Sequence, residues 1–147
     1  MRTIPVFLVV LLAALSPTAV AQQKVTVRAP GAAAGLPFSS AVRVGDMLYL
    51  SGEVGRVPGT TTLVAGGIVA ETRQTLENIK AVLEYAGSSL RNVVKCTVFL
   101  ADIAEYQSMN AVYREYFSVD PPARSTVAGS GLALGARVEI ECTAVVP

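Results

Sequence analysis

Between Gly67 and Gly87 the chain changes period, and that change limits what it can fold into. Ile68, Thr72, Leu76, Ile79, Leu83 and Ala86 recur every three or four residues, which is one face of a helix of about five turns. Gly87 follows, where a left-handed residue closes such a helix. The segments before and after it read as strands. Upstream, Lys24–Arg28 alternates polar and apolar, and Ser40–Val44 and Met47–Ser51 form a hairpin joined at Gly45-Asp46. Two loops, Pro30–Pro37 and Gly55–Thr62, carry the prolines and glycines of turns. Downstream, Val93–Leu100 is apolar and β-branched, as a buried strand is.

A second helix follows, with Asp102-x-x-Glu105 as its capping residues. It faces inward through Tyr106, Met109, Tyr113 and Phe117, and Pro121-Pro122 stops it. Two last strands, Ala123–Gly129 and Arg137–Val146, flank the turn Ser130–Gly135. The order is strands, helix, strand, helix, strands, which predicts an α+β sheet with two helices on one face. Two helices leave the other face bare. On Val138–Val146 one face is polar before the strand turns apolar, so the bare face must meet solvent or another subunit, and oligomerisation is the economical answer.

The first 21 residues stand apart from this pattern. Arg2, the apolar run Val6–Leu15, and Ala19-Val20-Ala21 before Gln22 follow the order of a secretory leader, cleaved after Ala21. The run is too short to span a bilayer, which takes about 20 apolar residues. The expectation is a leader over 1–21 and one domain over 22–147, periplasmic or secreted and free of the membrane once cleaved.

Composition narrows the chemistry. The chain of 147 residues has 12 Lys+Arg against 11 Asp+Glu, and loss of Arg2 leaves it neutral. It therefore lacks the basic surplus that nucleic-acid binding draws on. There is no histidine, so imidazole bases and imidazole metal sites are excluded, and two cysteines are too few for a thiolate zinc site. With no histidine to activate it, neither cysteine makes a nucleophile. Cys96 and Cys142 stand on separate strands of an exported chain, where a disulfide is permitted, but the simpler expectation is two buried free thiols packing as small apolar residues.

Several segments together resemble the RidA/YjgF family. They are Pro37–Val42, Leu48–Gly52, Gly67-Ile68 with Thr72–Asn78, Val93–Lys95, Met109-Asn110-x-Val112-Tyr113, Pro122–Val127 and Val138–Glu141, in order from about Pro37 to Val146. The resemblance implies a chorismate-mutase-like mixed sheet assembled as a homotrimer, with a site in each subunit interface. It also implies hydrolysis of reactive 2-imino and 2-enamino acids, of the 2-aminoacrylate type, to 2-keto acids and ammonia, with no cofactor or metal.

The same resemblance names residues. Arg124 matches the family's substrate arginine, whose planar fork suits a carboxylate. Read alone, it is more readily an ordinary surface arginine paired with Glu139 or Glu141. Glu139 stands 15 residues later, at the family's spacing for the glutamate that positions the attacking water, and Glu141 has the wrong spacing. Gly52 and Ser51 end a strand beside the implied pocket, and Asn110 matches an asparagine near the arginine. Thr126 stands where many members have cysteine. Phe38 departs from the family's tyrosine: it keeps the wall of the pocket and loses a hydroxyl, which leaves a non-catalytic trimer binding small carboxylates as the alternative to the deaminase.

Overall fold

The computed structural model describes residues 22–147, so the leader expected over 1–21 lies outside the described residues. Among these residues seven strands form one mixed sheet. They are β1 (Lys24–Val27), β2 (Ala41–Val44), β3 (Met47–Leu50), β4 (Glu53–Val54), β5 (Val93–Leu100), β6 (Ala123–Ala128) and β7 (Val138–Val145). The path runs β1-β2-β3-β7-β5-β6, with β4 also pairing β7, and only β5–β6 is parallel. That pair is joined by helix α2 (Tyr106–Tyr116), as a parallel connection requires. Among the described residues no helix is long and apolar enough to cross a membrane.

Helix α1 (Gly67–Tyr85) buries Ile68, Thr72, Leu76, Ile79 and Leu83, the face its period marks. Gly87 closes it at φ +80°, and the Ser88 N–H returns to the Leu83 carbonyl at 2.8 Å. The core lies between this helix, α2 and the inner sheet face, with Leu48, Val98, Leu100, Val138 and Ile140 fully buried against Met109 and Tyr113. A side chain at Gly55 would stand 2.6 Å from the Glu71 backbone, so the close seat of α1 over β4 depends on that glycine. Glu71 in turn accepts the Arg137 backbone N–H at 2.8 Å, tying α1 to the start of β7.

Four expectations change. Strand β4 has only two residues, too short to show a period, and it falls between the expected hairpin, which ends at Ser51, and the loop that begins at Gly55. Glu105 does not complete a capping box. Asp102 accepts from Ala104 N at 2.9 Å, whereas the Glu105 carboxylate is taken by Arg137. The cysteines are not free: antiparallel pairing sets Cys96 directly opposite Cys142 with their Cα atoms 4.1 Å apart, and they form a disulfide inside the core. Finally, the outer sheet face is mixed rather than apolar. Val42, Tyr49, Val127 and Val145 share it with Lys95, Thr97, Glu139, Glu141 and Thr143 because strand alternation puts the buried series Val138, Ile140, Cys142 and Ala144 on the helix side.

Candidate active site

Arg124 lies on β6 opposite Cys96 of β5, and like Cys96 it faces the helices. Its Nη1 donates to Asn110 Oδ1 at 2.8 Å and its Nη2 to the Tyr106 hydroxyl at 3.0 Å. The guanidinium carbon stands 4.6 Å from the centre of the Tyr113 ring. Asn110 therefore does meet the arginine. The surface pairing with Glu139 or Glu141 does not form, because both glutamates stand on the other face of the sheet. Among the described residues, four arginines pair with carboxylates (Arg43 with Asp46, Arg56 with Glu53, Arg73 with Glu115, Arg137 with Glu105), and Arg124 pairs with none. It is a half-buried cation seated on neutral groups. Thr126, two residues along the same strand face, has a buried hydroxyl without a hydrogen-bond partner, and so does Tyr113. Burial raises the Tyr113 phenol to about 12 against the opposing charge of Arg124, so it is a neutral hydroxyl at physiological pH.

Glu139 lies on β7 between Val138 and Ile140, which point into the core, so its carboxylate faces outward. It enters a cavity of about 280 Å³ with Phe38, Gly52, Glu53, Val54 and Leu134 on its walls. Phe38 is half exposed there. Gly52 stands against the carboxylate: a Cβ on it would lie 2.1 Å from Glu139 Oε1. Ser51 is turned aside, its hydroxyl donating to the Ser39 carbonyl at 2.7 Å, which braces the strand end rather than the cavity. The wall of the cavity also holds a buried ion pair that carries no sequence motif, Glu53 with Arg56 at 3.2 Å. Burial holds Glu53 above the ordinary carboxylate range, against the pull of Arg56. The spacing of the two residues, i and i+3 across a loop, carried no signal of that burial.

Burial also raises the Glu139 carboxyl, and the charge of Glu141 adds to it. If Glu139 activates a water, as the family resemblance implies, it must do so ionised, and activity should climb with pH through this raised value rather than through the usual glutamate range. Glu141→Gln removes the like charge and lowers that value. The acid limb of the rate profile is therefore expected to move to lower pH with the neutral plateau unchanged. A full pH–rate profile of the two proteins checks this.

The structure thus gathers the seven expected residues into two groups. Arg124, Asn110 and Thr126 lie on or beneath α2. Phe38, Gly52 and Glu139 lie on the outer face, with Ser51 supporting them. Strand β5 separates the two groups, Arg124 lying beside Cys96 and Glu139 beside Phe99. At about 3.3 Å per residue and about 4.8 Å per strand, their backbones are about 14 Å apart, with side chains pointing to opposite sides. Within one chain they cannot touch the same small molecule.

The chain is similar to known proteins over nearly all of its described length. The family profile described as Endoribonuclease L-PSP matches residues 26–146. A human protein named 2-iminobutanoate/2-iminopropanoate deaminase is 42% identical over 120 residues, covering 82% of this chain and 86% of its own. The crystal structure of RidA from the Antarctic bacterium Psychrobacter superimposes with a TM-score of 0.77 at 38% identity, covering 82% of this chain and 98% of the other. The YjgF gene product of E. coli gives 0.77 at 34% identity, covering 83% and 98%.

Proposed function

The chain belongs to the RidA/YjgF family, and from that premise we propose that it is an imine deaminase, hydrolysing 2-imino and 2-enamino acids to 2-keto acids and ammonia. The observation that carries this reading is the state of Arg124, a cation half-buried among neutral partners and open to an anion. A substrate carboxylate completes it through two parallel hydrogen bonds. The relatives named as deaminases support the substrate class.

The hydrolysis asks little of the protein beyond placement. Once its nitrogen is protonated, an imine carbon is electrophilic. Arg124 holds the carboxylate, and Glu139 orients a water, accepts a proton from it as the C–O bond forms, and returns a proton to the departing nitrogen. The C–N bond then breaks to release ammonia, and the carbinol oxygen gives its remaining proton to Glu139 as it becomes the keto oxygen. The chain's own carboxylate and guanidinium supply each of these roles, so neither a metal nor a cofactor enters the scheme.

Both groups serve one substrate only if two copies meet, with the outer face of one against the Arg124 side of the next. A closed ring of three copies satisfies that heterologous contact. We also take the domain to be exported, as the leader-like 1–21 and the core disulfide, a bond kept in oxidising compartments, together favour. The word endoribonuclease in the family description does not redirect the reading. Four of the eight described arginines pair with carboxylates, and with Arg2 set aside the chain has 11 basic residues against 11 acidic ones, a balance without the surplus that a phosphate backbone draws on.

The test generates 2-imino acids in situ with an amino-acid oxidase or a dehydratase and follows keto-acid release. Arg124→Lys keeps charge but loses the fork, and should weaken both binding and turnover. Glu139→Gln should cut turnover at least about tenfold while largely sparing affinity for an unreactive keto acid. A carboxylate binder without catalysis would instead lose its ligand with Arg124→Lys, ignore Glu139→Gln, and release no keto acid above background.

A further inference from the structure

The way α2 meets Arg124 goes beyond binding a carboxylate to aiming the group that binds it. Tyr106, Asn110 and Tyr113 stand at positions i, i+4 and i+7 of that helix, so all three side chains project along one face toward β6. Two of them accept hydrogen bonds from different terminal nitrogens of the guanidinium, and the ring of the third has its centre 4.6 Å from the guanidinium carbon. We propose that Tyr106 is a positioning residue of the site, its hydroxyl fixing the plane of Arg124 and so the direction of the N–H groups that receive the substrate. This rests on the carboxylate-binding reading of Arg124 given above.

A single acceptor on one terminal nitrogen leaves the planar group free to swing about that contact. A second acceptor on the other nitrogen removes the swing. Asn110 and Tyr106 together engage two of the five N–H groups and leave three, enough for the parallel pair that a carboxylate takes. The chemistry of the second acceptor matters too. A carboxylate at position 106 would neutralise the cation and compete with substrate, whereas a phenol accepts without adding charge. The start of α2 also fixes the hydroxyl in space. Tyr106 is the first residue of the helix, directly after Glu105, whose carboxylate is locked to Arg137 at the head of β7. The anchor that replaces the expected capping box is therefore also what sets the reach of Tyr106.

Tyr106→Phe keeps the ring beside the guanidinium and removes one oxygen. In the intact assembled protein, we expect KM for an imino acid generated in situ and Kd for 2-oxobutanoate each to rise about five- to tenfold, with kcat within about twofold. The unfolding temperature should stay near that of the wild type. In an Arg124→Lys background the same change should move Kd less than about twofold, because the fork it orients is gone. Wild-type KM and Kd in Tyr106→Phe, alongside raised values in Arg124→Lys, would overturn the positioning role and leave the deaminase reading standing. An undiminished Tyr106 effect in the Arg124→Lys background would overturn it as well, since the hydroxyl would then act elsewhere. Unaltered keto-acid binding in Arg124→Lys alone would remove the carboxylate reading and this inference together.

Discussion

Alanine at Gly52 is expected to abolish imine hydrolysis, lowering kcat at least about a hundredfold, while the protein still folds and assembles. The added Cβ would lie 2.1 Å from Glu139 Oε1 and 3.2 Å from its Cγ, so the side chain must leave its place. The clash falls on the far end of a mobile side chain and not on backbone, which makes it cheap for the fold and costly for the chemistry. A displacement of about 1 Å in a catalytic group is worth about that factor in rate. Gly55→Ala gives the contrast, because there the new Cβ meets the backbone of Glu71 and the helix itself must shift. Steady-state kinetics with thermal unfolding of Gly52→Ala separates the cases. A loss of rate that tracked a loss of fold would show that Gly52 serves packing alone.

The second large effect concerns stability. Joining Cys96 to Cys142 closes a loop of 46 residues, and in the chain-entropy account such a link stabilises by about 4 kcal/mol. The double change Cys96→Ala/Cys142→Ala should therefore lower Tm by roughly 10–20 °C at fixed protein concentration. Both residues are buried, so reductant should reach the bond only when the fold opens, and native protein should release its two thiols slowly. An unchanged Tm in the double variant, or rapid thiol release without denaturant, would contradict this assignment.

The parts of this fold that sequence carries are those with a period long enough to read. Helix α1 shows its buried face over five turns, and the strand alternation of Val138–Glu141 separates Glu139 from the core. What sequence does not carry is register. The face of Arg124 relative to Glu139 depends on β6 pairing β5 in parallel while β7 pairs it antiparallel, and no spacing along the chain reveals that. The same holds for the disulfide, which exists because Cys96 stands opposite Cys142 and not opposite a neighbour. Tyr106 was legible only as an inward-facing helix residue. Its bond to Arg124 joins residues 18 apart through two elements, and the Glu53–Arg56 pair was hidden by the brevity of β4.

The central claim is that one copy supplies Arg124 and another supplies Glu139 to each site. Mixing two inactive variants tests it directly. Arg124→Lys and Glu139→Gln chains are unfolded, combined in equal amounts and refolded together, and keto-acid release from imines is compared with each variant refolded alone. In random mixed assemblies about one interface in four unites an intact arginine with an intact glutamate, so activity should return to about a quarter of wild type. A mixture no more active than the mean of its two parents would show that both residues must come from a single chain, and that the site is not shared between copies.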